Sequence, residues 1–169
     1  MIANPDDHES HVRIGDELKA FVEGGVSVVV GTRDDALVPE IVRAWGPYVS
    51  EDRHSVSLCV PQATSARTRE NLAGNGLIAV AFSLPSTYQT VQLKGRHAGT
   101  TEPTAADLRM AERHRDAFAR VNEAIGIPRL RIEAFWNREL VGSGLLLTIH
   151  FIVHQIFNQT PGPYAGSPL

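Results

Sequence analysis

The chain has 169 residues, of which 43% are hydrophobic and 21% charged, and its formal net charge is −3. This is the composition of one globular domain, large enough to bury about two-thirds of the surface that its unfolded chain exposes. No segment concentrates basic residues, which disfavours a nucleic-acid surface. The single cysteine, Cys59, excludes an internal disulfide and a zinc site built from several cysteines. The acidic start has no apolar signal-peptide core, and we therefore expect a cytoplasmic protein.

The first half of the chain predicts a flexible arm, two helices and three strands. We expect the arm over residues 1–12. Apolar residues recur at helical spacing over 14–23, and the following glycine pair ends that helix. Runs of β-branched residues between turn-rich segments predict strands over 27–32, 39–46 and 55–60. The segment 63–74 has a Thr/Ser start and a glycine end, which predicts a short helix.

The second half predicts two further strands, a long helix and an ambiguous segment. The strands are expected over 77–84 and 88–100. The longest helix covers roughly 103–125, with Thr101 or Thr104 as its N-cap. Residues 128–137 fit a short helix slightly better than a strand.

The apolar run LLLTIHFIVHQIF, which ends at Phe157, could be a helix or a strand, and the choice decides its chemistry. It is too short for a membrane span, which needs roughly 20 apolar residues. On a helix His150 and His154 could share a metal ion. On a strand they would be about 13 Å apart, which is too far for one ion. The β-branched and aromatic composition predicts a long buried strand, and we therefore expect no shared metal site.

Six strands in tight meanders with inserted helices predict one mainly-β domain over 1–169, an antiparallel barrel with helical caps. We expect residues 158–169 to form an extended tail.

Three segments suggest a phosphorylated aromatic ligand. On the second strand, alternation places Arg43 and Trp45 on one face with Ile41, which sets a cation beside a large ring. The ordinary alternative is a half-buried strand with an arginine whose stem lies along apolar surface.

The second segment is Thr64–Arg69, at the start of the short helix. Its hydroxyls, its guanidinium groups and the free backbone N–H groups of a helix N-terminus are what a phosphate requires. The ordinary alternative is a simple N-cap with solvated arginines. We expect Asn71 to face solvent or to cap the helix locally.

The third segment is Tyr88–Gly95, a predicted strand that offers amide, hydroxyl and ammonium groups with apolar residues between them. A flavin ring needs such a mixture. The ordinary alternative is a half-exposed antiparallel strand. The chain has no glycine-rich dinucleotide motif and no P-loop. Cys59 is expected to be a small hydrophobic residue in a strand, and His97 a surface residue.

In order along the chain, four strings resemble the pyridoxamine 5′-phosphate oxidase-like, FMN-binding split-barrel family. They are VVVGTRDDALVPEIVRAWG, SARTRENLAGNGLIAVAFS, TYQTVQLKG and IFNQTPGPYAG. The resemblance covers roughly residues 14–166. It implies a six-stranded split barrel and a homodimer with two FMN sites at the subunit interface.

The resemblance also implies the residues that hold the cofactor. Arg43, with Trp45 beside it, falls on the second-strand position that approaches the flavin phosphate and ribityl chain. Ser65, Arg67 and Thr68 fall on the phosphate cluster of the family, and Gln89 and Thr90 fall on the dipeptide of the next strand, where a glutamine contacts the ring. Gln92, from the polar pattern of the same strand, is a further candidate for binding the cofactor. Thr68 stands where the family has lysine, Thr90 where it has glutamine, and an Arg-x-His element near the C-terminus is missing. These departures argue against oxidation of pyridoxamine phosphate.

The function that follows is an FMN-dependent oxidoreductase acting on a small molecule, without an assigned general acid or base. One alternative is a flavin carrier or sensor without turnover. Another is a split barrel that binds a deazaflavin, or haem through His150 or His154.

Overall fold

The computed structural model describes residues 12–141 and 145–169. The predicted arm lies outside the described residues except for Val12. The backbone N–H of Val12 donates to the Val153 carbonyl oxygen at 3.2 Å.

A closed antiparallel barrel of six strands forms the body of the described chain. The order around the barrel is β1-β2-β3-β6-β5-β4, so β1 and β4 pair to close it. The strands are β1 Ser27–Arg33, β2 Pro39–Val49, β3 Ser55–Pro61, β4 Leu77–Ser83, β5 Thr90–Thr101 and β6 Leu146–Asn158. The predicted fold class is therefore confirmed.

The apolar run near the C-terminus is a strand, as predicted. In β6 the side chains of Leu147, Ile149, Phe151 and Val153 all belong to the barrel core. His150 lies between two of these core positions and therefore points to the opposite face of the strand. The same alternation puts Val28 and Val30 of β1 inside the barrel.

Four α-helices of the described chain lie around the barrel: α1 Asp16–Val22, α2 Ala66–Asn75, α3 Ala105–Ala124 and α4 Arg129–Val141. Thr104 is the N-cap of α3, because its side chain accepts from the backbone N–H of Asp107 while the Asp107 carboxylate accepts from that of Thr104. The ambiguous segment after α3 is helical. None of the helices described is long and apolar enough to cross a membrane.

A second apolar cluster lies outside the barrel, where α3 and α4 cover part of β2 and β3. It includes Trp45, Cys59, Phe118 and Trp136, and Trp45 packs edge-on against Trp136 with ring centroids 4.9 Å apart. This cluster attaches both helices to the outer face of the barrel.

The C-terminal segment is turned back, whereas an extended tail was expected. Pro168 forms an isolated bridge with Phe157, and the backbone N–H of Leu169 donates to the Ile156 carbonyl oxygen at 3.0 Å. The proline and glycine residues between them form the turn, so the segment closes on β6.

Candidate cofactor-binding face

Strand register brings three of the predicted site residues onto one outer face. Directly paired residues of neighbouring strands point the same way. Arg43 pairs with Val29, Val29 with Ala81 and Ala81 with Gln92, which makes one row across β2, β1, β4 and β5. In the adjacent row, Ser27 pairs with Ser83 and Ser83 with Thr90. Arg43 and Gln92 therefore lie in the same row, and Thr90 lies in the adjacent row, about 6.6 Å away along the strand direction.

Arg43 is half-buried and held from two sides. Its Nη1 donates to the Ser27 hydroxyl at 3.0 Å, and its guanidinium carbon lies 5.0 Å from the centre of the Phe135 ring of α4. Trp45 shares the outer face with Ile41 and Arg43, as predicted. However, its side chain is only 1% exposed, because α3 and α4 cover it. Trp45 packs beside Phe135, the ring that Arg43 contacts, and presents no ring to solvent in this structure.

The strand predicted over 88–100 begins at Thr90, two residues later than expected. Tyr88 has φ 60°, a left-handed conformation that a strand does not accommodate, and it places Gln89 in an exposed turn. The Thr90 hydroxyl donates to the Ser83 hydroxyl at 3.0 Å. The Gln92 side-chain oxygen lies 3.4 Å from the amide nitrogen of Gln159, which leaves the Gln92 amide N–H groups for a ligand.

Helix α2 covers one end of the barrel and buries two residues of the predicted phosphate cluster. Ser65 and Thr68 are both 0% exposed, and the Thr68 hydroxyl has no hydrogen-bond partner. Arg67 is exposed, with its guanidinium 3.9 Å from the Asp34 carboxylate. Of these three side chains only Arg67 reaches solvent, and the binding roles of all three stay predictions.

The expectation for Asn71 was wrong. Its side chain is 6% exposed and donates to the Thr32 hydroxyl at 3.1 Å, which ties α2 to the end of β1. Asn71 lies on the buried side of α2 with Thr68 and Leu72, and of these three only Leu72 is of an apolar type that indicates burial.

A groove of about 690 Å³ continues from these rows along the outer face. Its floor includes Gly31 and Ala79, which pair with each other, and its sides include Arg33, Lys94 and Arg96. None of the described residues that line it carries a carboxylate. Arg33 and Arg96 were not predicted as site residues. Alternation along β5 could have indicated the second of them, because Thr90, Gln92, Lys94 and Arg96 share one face.

Two further side chains were expected to have structural or surface roles. Cys59 is buried, and burial raises the pKa of its thiol to about 11, so it behaves as the expected small hydrophobic residue. His97 is partly exposed, with Nε2 2.8 Å from the Thr100 hydroxyl. Residues 12–141 and 145–169 contain no cluster of three or more His, Cys, Asp or Glu that could hold a metal ion.

A buried histidine that the sequence did not indicate lies behind Arg43. His114 is 5% exposed, and its Nε2 lies 2.9 Å from the Val26 carbonyl oxygen, so Nε2 carries the proton. Its Nδ1 has no hydrogen-bond partner. Burial lowers the pKa of His114 to about 4, and the charge of Arg43 acts in the same direction. The imidazole is therefore neutral when the protein is folded at pH 7.

No family model matches the chain, and no curated protein matches it. Solved structures do match. An F420 reductase shares 11% identity with a TM-score of 0.55, covering 85% of this chain and 98% of its own. HupZ of Group A Streptococcus shares 19% identity with a TM-score of 0.51, covering 90% and 99%. An FMN-binding protein of Syntrophomonas wolfei shares 10% identity with a TM-score of 0.51, covering 82% and 81%.

At these identities the matches show the fold alone. A putative pyridoxamine 5′-phosphate oxidase of Lactobacillus delbrueckii also shares it, with 11% identity and a TM-score of 0.51, covering 86% of this chain and 93% of its own. The resemblance drawn from the sequence is therefore confirmed at the level of the fold, a six-stranded antiparallel barrel with covering helices.

Proposed function

We propose that the protein binds FMN on the outer face of β1, β2, β4 and β5 and acts as an FMN-dependent oxidoreductase on a small molecule. The observation that carries the proposal is the strand register, which gathers Arg43, Thr90 and Gln92 on one face. Arg43 of β2 is 47 or more positions away in sequence from Thr90 and Gln92 of β5. The closed barrel brings these residues together. The predicted homodimer and the cofactor at its interface belong to the same proposal.

The residues of this face fit a flavin. The edge of the ring carries carbonyl oxygens and ring nitrogens, which need both donors and acceptors. The Gln92 amide offers both, Thr90 offers a hydroxyl, and Arg43 offers guanidinium donors beyond the one held by Ser27. Between them, Val29 and Ala81 give a low apolar surface on which a ring can lie. Bound FMN would supply hydride transfer, while these side chains would bind and orient it.

The proposed phosphate end lies toward α2. Arg67 is close to Asp34, which follows the last residue of β1, so it stands at the same end of the barrel as Arg33. Arg67 can reach a ligand there without rearrangement. Ser65 and Thr68 would have to be uncovered first, because their side chains are fully buried.

A second copy of the chain is proposed to cover this face. Three large apolar side chains are exposed at the β1–β2 turn and the start of β2, where Ile41 pairs with Gly31 of the groove floor. Leu37 is 67% exposed, Val38 45% and Ile41 70%. Apolar groups grouped next to a ligand groove are a common feature of subunit interfaces. The same contact would exclude water from the cofactor.

A deazaflavin is the second candidate, because an F420 reductase has this fold and a deazaflavin presents a comparable ring edge. Haem receives less support from the contacts of His150. Its Nδ1 lies 2.7 Å from the Ser57 hydroxyl and its Nε2 3.1 Å from the Thr101 hydroxyl, so ligation of iron would break one of these bonds.

The test is an absorbance spectrum of the purified protein, followed by a titration with FMN. We expect flavin absorbance near 450 nm and bleaching of it by NADH or NADPH. Flavin that binds but is never reduced, with any acceptor, would indicate a carrier. Arg43→Gln should weaken FMN binding by about 1.5–3 kcal/mol, the usual contribution of a hydrogen bond to a charged group. The control is Arg109→Gln, an exposed arginine of α3.

Equal FMN affinity in wild type, Arg43→Gln and Gln92→Leu would contradict the assignment of this face. A Soret band near 400 nm would replace the flavin by haem.

A further inference from the structure

We propose that a second cavity, separate from the outer groove, binds a small organic cation, a primary amine with an apolar body. The cavity has a volume of about 450 Å³ and lies between α1, the start of α3 and the ends of β2, β5 and β6. The described residues that line it and those that line the groove have no member in common. A ligand here would therefore not occupy the proposed cofactor-binding face.

The walls of the cavity suit a molecule with one aromatic ring. Ala106 and Met110 are four positions apart on α3, so their side chains share one helix face. Opposite them, Tyr48 pairs with Ser57 and Ser57 pairs with His150, which places Tyr48 and His150 on one face, roughly 10 Å apart across two strand spacings. A cavity of this volume with apolar walls and a few polar groups is typical of small-molecule sites.

The polar groups of the cavity leave more acceptors than donors for a ligand. The Glu23 Oε1 accepts from the Val49 backbone N–H at 2.8 Å and from the Lys19 ammonium, and no donor of a described residue reaches Oε2. The Thr101 hydroxyl contacts His150 Nε2 at 3.1 Å and retains a lone pair. Lys19 also donates to the Val49 carbonyl oxygen at 3.3 Å, which leaves it one N–H. The unused acceptors favour a ligand that donates.

One carboxylate in the wall is stabilised without a cation. The Asp107 side chain is 4% exposed, and burial alone would raise its pKa. Hydrogen bonds to the carboxylate outweigh burial and lower the pKa below 3.8, so the group is ionised at pH 7. These bonds come from three neutral residues, Thr104, Thr148 and Tyr48.

The charges of the wall therefore favour a cation. Lys19 pairs with Glu23, so its charge is balanced by that carboxylate. Asp107 adds a second carboxylate, and the described lining residues include no second ammonium and no guanidinium. A negative potential within apolar walls attracts a positive ligand and disfavours an anion. An ammonium, with three N–H groups to donate, fits both the charge and the unused acceptors.

The experiment measures the binding of three probes by calorimetry at pH 7 and about 0.15 M salt, where distant charges are screened. The probes have one ring and differ in charge: 2-phenylethylamine, 2-phenylethanol and 3-phenylpropionate. Ala106→Phe fills the cavity, and Ala105→Phe is its control, because both positions are exposed on the first turn of α3 and only Ala106 lines the cavity. Glu23→Gln removes a charge without adding volume. Its control is Glu17→Gln, at an exposed position of α1.

We expect wild type to bind the amine about tenfold more tightly than the alcohol, because hydrogen bonds to a charged group are the stronger ones, and to bind the carboxylate most weakly. Ala106→Phe should weaken amine binding at least about tenfold by steric overlap, and Ala105→Phe by less than about threefold. Glu23→Gln should weaken binding of the amine more than that of the alcohol, whereas Glu17→Gln should change neither. Saturating FMN should leave amine affinity unchanged.

Several results would overturn the proposal. Equal amine affinity in Ala106→Phe and Ala105→Phe would show that the amine does not enter this cavity, as would displacement of the amine by FMN. Binding of the alcohol or the carboxylate as tightly as the amine would show that the cavity does not select a cation. The site is also wrong if wild type binds none of the three probes.

Discussion

Acidification should destabilise the protein through His114. The folded protein buries this imidazole with Nδ1 unpartnered and lowers its pKa from 6.5 to about 4. The unfolded chain therefore takes up a proton first, and the free energy of unfolding falls as the pH drops below about 6.5. The fall ends near pH 4, where the folded protein is protonated too. At about 1.4 kcal/mol per pKa unit, the whole effect is about 3 kcal/mol, with about 2 kcal/mol of it present at pH 5.

Urea unfolding at pH 7.5, 6 and 5 measures this effect. In His114→Gln, whose amide can still donate to the Val26 carbonyl, the loss between pH 7.5 and pH 5 should shrink to less than half of the wild-type loss. Phe118→Leu is the control, because Phe118 packs beside His114 and its truncation should lower stability equally at each pH.

Other groups with altered pKa values do not interfere with this comparison. Burial also lowers the pKa of His97, but that contribution is present in all three proteins. Asp107 and Asp116 have pKa values lowered below 3.8, so their contributions are lost only at a pH below the range measured. Equal slopes in wild type and His114→Gln would show that His114 is not the titrating group.

Three further predictions address the groove, the subunit contact and the thiol. Gly31→Val should weaken FMN binding at least tenfold by filling the groove, whereas Gly99→Val, which places a side chain in open space elsewhere on β5, should leave it unchanged; flavin fluorescence titration measures both. Ile41→Lys should convert the proposed dimer to a monomer by light scattering, and the exposed Leu108→Lys should not; a wild-type monomer that retains FMN tightly would contradict the interface. The Cys59 thiol, with its pKa raised to about 11, should react with a disulfide reagent only after denaturant is added, and rapid reaction in the folded protein would disprove its burial.

The fold could be predicted from the sequence because each strand carries its own signal. β-branched residues alternate with residues of other types, and turn residues separate the runs, so the number and order of the strands followed. The C-terminal apolar run was identified as a strand for the same reason, and its alternate side chains do fill the barrel core.

The candidate site was less predictable because it depends on contacts between distant segments. The pairing of Val29 with Arg43 and with Ala81 places residues of β2 and β5 in one row, and no local pattern encodes that register. Ser65 and Thr68 were assigned to a phosphate because hydroxyls at a helix start suit an anion. The docking of α2 on the end of the barrel buries both side chains, and the hydroxyl pattern did not indicate that burial. Polar residue type indicated exposure, and tertiary packing overrode it.

The predicted start of β5 at Tyr88 and the extended tail predicted over 158–169 differ from the structure for a related reason. A left-handed tyrosine has no sequence signature. The proline and glycine residues within 158–169 indicate turns, but they do not indicate that the backbone hydrogen bonds of this segment close on β6. His114 was overlooked because a lone histidine on an amphipathic helix carries no sign of whether its neighbours exclude water.

A barrel closed on itself has consequences for how this chain can assemble. Each of the six strands within residues 12–141 and 145–169 has partners on both sides. An incoming chain therefore finds no exposed ladder to extend among them and must recognise the protein through outward-pointing groups. Substitutions there can alter ligand and partner choice while the interior that maintains the architecture stays the same. One scaffold can in this way acquire new specificities without refolding.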